Sequence, residues 1–136
     1  MNRHAFKRFR NIALPRAFRQ IRLERARDHD HPKGDSEIAY VITAPLDAAS
    51  RVDADLWKLH KEACRVARQR PVGNDQLGHI MHGPGGNWRF HYDVAGDLPD
   101  EAGHHLGDER FEPGEYVSIH EADGMHPYLV VAVTPL

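Results

Sequence analysis

The sequence predicts an α+β domain: a mainly antiparallel curved sheet, or a small partly open β-barrel, with one packed helix. Three observations predict it. Short segments of alternating or β-branched residues recur between clusters of turn formers through most of the chain. One segment, residues 53–69, carries apolar residues at helical spacing. The 136 residues are 40% hydrophobic and 28% charged, which suits a single domain with one core.

Residues 1–17 read as a basic arm and 18–136 as a single β-rich domain, with Pro15 ending any helix in the arm. A first strand over 19–27 follows, in which Ile21 and Leu23 alternate with Arg22 and Glu24. The run Asp28-His29-Asp30-His31-Pro32-Lys33-Gly34-Asp35-Ser36 is dense in turn formers, and 37–44 is β-branched and aromatic, so the two strands form a hairpin. The helix over 53–69 has an apolar stripe of Leu56, Leu59, Ala63 and Ala67, a capping Asp53, basic residues near its end and Pro71 beyond it. Strands are predicted over 76–82, 88–93, 106–111, 115–121 and 128–134. Residues 94–105 are polar, contain Gly96, Pro99 and Gly103, and read as a loop. In the last hairpin, a three-residue loop over 123–125 pairs Ile119 with Leu129 and Val117 with Val131, which keeps one face apolar. The expected core is Ile38, Tyr40, Ile42, Leu56, Leu59, Ala63, Ile80, Trp88, Phe90, Val117, Ile119, Leu129, Val131 and Val133. The expected sheet has six or seven strands.

Charge divides the chain. Residues 1–27 hold nine Arg and Lys against Glu24 alone, a net of +8, while the whole chain is −2, which leaves −10 for the rest. A basic arm on an acidic body suits an anionic partner, a second copy of the chain, or an acidic protein. Arg8, Arg10, Arg16 and Arg19 are the expected partner-binding residues, and Phe6, Phe9 and Phe18 between them also suit single-stranded nucleic acid. No apolar run reaches the roughly 20 residues of a membrane helix, so no membrane contact is expected. A lone Cys64 leaves no internal disulfide and suits a reducing cytoplasm. Arginine outnumbers lysine 14 to 4, which hints at a GC-rich bacterial genome.

Eleven histidines among twenty acids supply the second line of chemistry. His29 and His31, with Asp35 and Glu37 nearby, offer imidazole and carboxylate ligands for a divalent transition metal. This His-x-His pattern is similar to the first half of the cupin metal motif, but no second cupin motif follows and the neighbouring glycines differ, so the chain is assigned to no family. His91 and His120 lie on polar strand faces and form the second candidate pair of metal ligands, with His79, Asp93 and Glu121 among the other groups that strand pairing could bring in. His60 and Cys64 share a face of the expected helix, where packing is the simpler reading. The glycines at 83, 85 and 86 lack the Lys-Ser/Thr of a phosphate loop. No catalytic motif is complete. The expected function is a non-enzymatic binding or interaction module whose arm meets an anionic partner or a second subunit; the alternative is a divalent-metal-binding domain, extending to a small metal-dependent enzyme built on clustered histidines.

Overall fold

A computed structural model describes residues 14–82, 88–93, 100–103 and 109–136. Its strands are β1 (Phe18–Arg25), β2 (Asp35–Pro45), β3 (Arg65–Gln69), β4 (Gln76–His82), β5 (Trp88–Tyr92), β6 (Glu101–Gly103), β7 (Tyr116–Glu121) and β8 (Gly124–Pro135). Each pairs antiparallel with the next, and β8 returns to pair with β1, so an antiparallel meander closes into a barrel. Helix α1 (Ala54–Leu59) and a 3-10 turn (Lys61–Ala63) join β2 to β3. The sheet dominates, and the helical share of the expected α+β fold shrinks to these short pieces.

An eight-stranded barrel is just wide enough for its own side chains to fill. Ile21, Leu23, Ile42, Val66, Ile80, Phe90, Ile119 and Val130 are buried within it. The interior has two ends of different character. At the end that holds the described chain termini, Trp57 from α1 packs edge-on to Trp88 at 5.4 Å, and Trp88 stacks on His82 at 4.2 Å. The Trp57 indole also donates to the Ile80 carbonyl at 2.9 Å. Asp53 caps α1 by accepting from the Leu56 N–H. Trp57→Ala should lower the unfolding free energy by about 3–5 kcal/mol, read by urea titration, because it empties this plug and orphans a carbonyl.

The predicted helix over 53–69 is overturned beyond residue 59. From Cys64 the alternation of period two wins: Cys64 and Val66 are buried, and β3 pairs with β2 in a register that sets Ile42 opposite Val66. Leu59, expected in the core, is 75% exposed because the helix stops one residue later. The predicted strand over 106–111 is also corrected. Residues 109–111 are not strand, 106–108 lie outside the described residues, and β6 falls at Glu101–Gly103, inside the segment read as a loop. Residues 1–13 of the expected arm, the glycines at 83, 85 and 86, and residues 94–99 and 104–105 of the expected loop also lie outside them.

The last hairpin turns through Ala122 and Asp123, pairing Glu121 with Gly124, Ile119 with His126 and Val117 with Tyr128. The three-residue loop is therefore wrong, and Tyr128 and Val130 face inward in place of Leu129 and Val131. A bulge explains the misreading. On β8, Arg22 faces Ala132 while Leu23 faces Val130, so Val131 is the extra residue and the inward phase changes across it. Val133 then packs on the core as expected. An apolar run from 129 to 133 offers both phases, and periodicity alone cannot show where the phase shifts.

Candidate functional site

The end of the barrel away from α1 is polar inside. Glu101 and Glu121 are 2% and 8% exposed, and Glu121 is carried inward by the same alternation that buries Val117 and Ile119. One step beyond the pairing of Ala102 with His120, they stand opposite each other across β6 and β7. The Tyr40 hydroxyl lies between them, 2.7 Å from Glu101 Oε1 and 2.8 Å from Glu121 Oε2. Tyr92 donates to Glu101 Oε1 at 2.6 Å, and Tyr128 donates to Glu121 Oε2. Arg68 Nε reaches Glu101 Oε2 at 3.1 Å, and Arg70 Nη2 reaches Glu121 Oε2 at 3.2 Å. The Arg70 guanidinium also lies 5.4 Å from the centre of the Tyr40 ring. Two carboxylates are thus buried with one guanidinium each and phenols on the remaining lone pairs, the condition under which buried charge is tolerated.

Burial, then the nearby Tyr128 and Glu101, push the Tyr40 phenol far above its ordinary range. Burial and the Glu101 charge do the same to Tyr92, and burial and the bond to Glu121 do so to Tyr128. Burial works against the Arg68 charge, yet Glu101 holds its guanidinium above the usual value; for Arg70, Tyr128, Tyr40 and Glu121 overcome burial likewise. The three phenols are therefore neutral donors, not bases. Tyr40 has one hydroxyl hydrogen for two carboxylates, so it donates to one at a time.

A second cluster closes the same end. Arg25, 7% exposed, donates from Nη2 to Asp28 Oδ2 at 3.1 Å and to His126 Nδ1 at 2.8 Å. A guanidinium only donates, so Nδ1 accepts, and Nε2 donates to Asp123 Oδ1 at 2.7 Å. Burial opposes the Asp28 charge, but the Arg25 bond and the backbone N–H groups of His31 and Asp30 lower its pKa to about 2. Glu121, Asp123 and His126 bring ligand atoms within 4.8 Å of one another, the one group of three or more such residues among those described. Both ring nitrogens of His126 are engaged, one by the Arg25 guanidinium and one by Asp123.

The sequence-predicted ligands are not gathered. His29 is exposed in the turn between β1 and β2, and His31 Nδ1 lies 3.4 Å from Asp28 Oδ1. His91 lies on the outer face of β5 and His120 on that of β7, with β6 between them. The cross-strand neighbour of His91 is His79. The Cys64 thiol donates to the His60 carbonyl at 3.4 Å, and burial pushes it up to about 12, which leaves it no nucleophile. Arg16 is exposed. Arg19 turns its Nη1 back onto the carbonyls of Phe18, at 2.9 Å, and Arg16. Arg8 and Arg10 lie outside the described residues.

A groove of about 610 Å³ opens beside the β1–β2 turn, lined by Arg25, Arg27, Lys33, Asp35, Tyr116 and Leu129 among others. Arg25 is engaged as above. Arg27 and Lys33 are exposed and have no ion pair or side-chain hydrogen bond among the described residues. Tyr116 is 60% exposed. The turn that carries both cations is tightly held: Asp28 Oδ1 accepts from the N–H groups of Asp30 and His31. Gly34 has φ +73, and a Cβ there would stand 2.7 Å from the Arg25 carbonyl oxygen, so only glycine fits.

Sequence reasoning missed the Tyr40–Tyr92–Tyr128 and Glu101–Glu121 cluster. The signal was present in part: Glu121 continues the inward phase of Val117 and Ile119, and Tyr92 that of Trp88 and Phe90. Compared with known proteins, the chain matches no family model, no curated sequence and no solved structure.

Proposed function

We propose that this chain is a binding module for an anionic protein partner, which presents an acidic peptide segment to the groove beside the β1–β2 turn. The observation that carries this reading is the pair of exposed cations, Arg27 and Lys33, unengaged among the described residues, on a turn held in place before any ligand arrives. A preordered turn lowers the entropy lost on binding. The groove's 610 Å³ falls within the roughly 300–1,000 Å³ of small-ligand sites, enough for a few residues of a peptide. Tyr116 and Leu129 offer an apolar contact beside the two charges. The inner polar cluster supports a non-enzymatic role, since its carboxylates and phenols are already bonded to one another. Arg16 at the root of the arm, with Arg8 and Arg10 before it, adds to the attraction of an acidic partner.

The test is fluorescence anisotropy with a fluorescein-labelled peptide of alternating glutamate and phenylalanine. Arg27→Ala with Lys33→Ala should weaken binding about tenfold, and binding to the native chain should fall as salt rises. Equal affinity of the double variant would remove the groove from the reading. A loss confined to Arg8→Ala, Arg10→Ala and Arg16→Ala would move the contact to the arm.

A further inference from the structure

We infer that His79 and His91 form a surface site for one borderline divalent transition ion of the zinc type, on the outer face of β4 and β5. The two residues are direct cross-strand partners. Such partners on one face have Cβ atoms about 4.5–5.5 Å apart, a span over which two imidazoles can reach a common ion at bond lengths of about 2.0–2.1 Å. Each ring is also oriented by a carboxylate. His79 Nδ1 lies 2.7 Å from Asp93 Oδ1, and His91 Nδ1 lies 2.7 Å from Asp100 Oδ1. An ionised carboxylate only accepts, so Nδ1 carries the hydrogen in both rings and Nε2 presents its lone pair. Neither Nε2 has a partner among the described residues. This is the carboxylate–histidine arrangement that fixes the tautomer and strengthens the imidazole as a ligand, here present twice.

Imidazole nitrogens suit zinc, copper and nickel over magnesium and calcium. The side chains are 28% and 57% exposed, so an ion can reach them, and water completes its coordination. Two cations limit the affinity. Arg65 faces His79 from β3, and Arg89 is paired with Asp100 at 3.2 Å. The site shares no residue with the groove beside the β1–β2 turn, so it stands whether or not that groove binds a peptide.

The experiment is isothermal titration of the untagged full chain with zinc chloride in a buffer that does not chelate, followed by nuclear magnetic resonance of the histidine rings. One equivalent should bind, with the largest shifts at the Nε2 atoms of His79 and His91. His79→Gln and His91→Gln should each remove binding. Asp93→Asn or Asp100→Asn should weaken it about 10–100-fold while both histidines remain. All four positions lie on the outer face, so the circular dichroism and melting temperature of the metal-free variants should match those of the native chain. His29→Gln with His31→Gln should leave the titration unchanged. No uptake by the native chain would overturn the site, as would uptake that survives His79→Gln and His91→Gln or is lost with His29 and His31.

Discussion

Glu121→Ala is expected to lower the unfolding free energy by about 3–5 kcal/mol, read from urea or guanidinium titration. The carboxylate accepts from Arg70 at 3.2 Å and from Tyr128, so truncation strands both donors, while Tyr40, 2.8 Å away, keeps Glu101 as its acceptor at 2.7 Å. The cost is that of leaving a partly buried guanidinium and a buried phenol without their acceptor, not the worth of any single bond. Combining Glu121→Ala with Tyr128→Phe should therefore cost less than the two single changes added together, because the second substitution removes a hydroxyl that the first leaves unpaired. Strict additivity would show that the cluster does not act as one unit. A loss near zero for Glu121→Ala would show that water replaces the carboxylate without penalty, and that this end of the barrel is more open than its 8% exposure of Glu121 implies.

Stability should fall steeply above pH 10. Tyr40, Tyr92 and Tyr128 all have folded-state pKa values raised well above the ordinary value of 10.0, with burial the leading cause in each. In the unfolded chain they release protons near pH 10, while the folded chain retains them. Their contribution is therefore complete below pH 10 and is lost as pH rises toward the folded-state values. Each contributes a slope of about 1.4 kcal/mol per pH unit, and the three together about 4 kcal/mol per unit, so a domain of ordinary stability unfolds within about two units. Urea midpoints at a series of alkaline pH values would record the slope. Tyrosinate absorbance should rise for these three residues together with the loss of sheet signal. Three tyrosines ionising near pH 10 in the folded state would contradict the burial on which this rests.

The strands were legible where one phase alone made sense. Trp88, Phe90 and Tyr92 alternate with Arg89, His91 and Asp93, and β5 follows that pattern. β4 spans the predicted residues, and β1 and β2 are within two residues of prediction at each end. The failures occur where local patterns conflict or where pairing decides. Leu56, Leu59, Ala63 and Ala67 make a helical stripe by spacing, yet Arg65–Gln69 is claimed by the open edge of β2. Residues 129–133 fit a strand in either phase, and a bulge at Val131 uses both. The inner polar cluster was illegible for a different reason. Its members come from β2, β6, β7, β8 and the residues around β3 and β5, and no window of sequence holds a carboxylate together with the phenols and guanidinium that neutralise it. The pairing of His79 with His91 was likewise invisible until β4 and β5 were aligned.

Seven of the eight strand pairings join neighbours in sequence and can form as successive hairpins. The eighth, between β1 and β8, is a seam that joins segments more than a hundred residues apart, and closing it loses the most chain entropy. The bond from Tyr40 on β2 to Glu121 on β7 runs across that seam. Until the ring closes, Glu121 has Tyr128 from its own hairpin but lacks Tyr40 and Arg70, which belong to the other side. The polar cluster thus acts as a latch: an open ribbon keeps these charges in water, and only the closed ring brings them together. This couples the burial of the carboxylates to completion of the barrel, and favours the whole ring over any curved intermediate that stops one strand short.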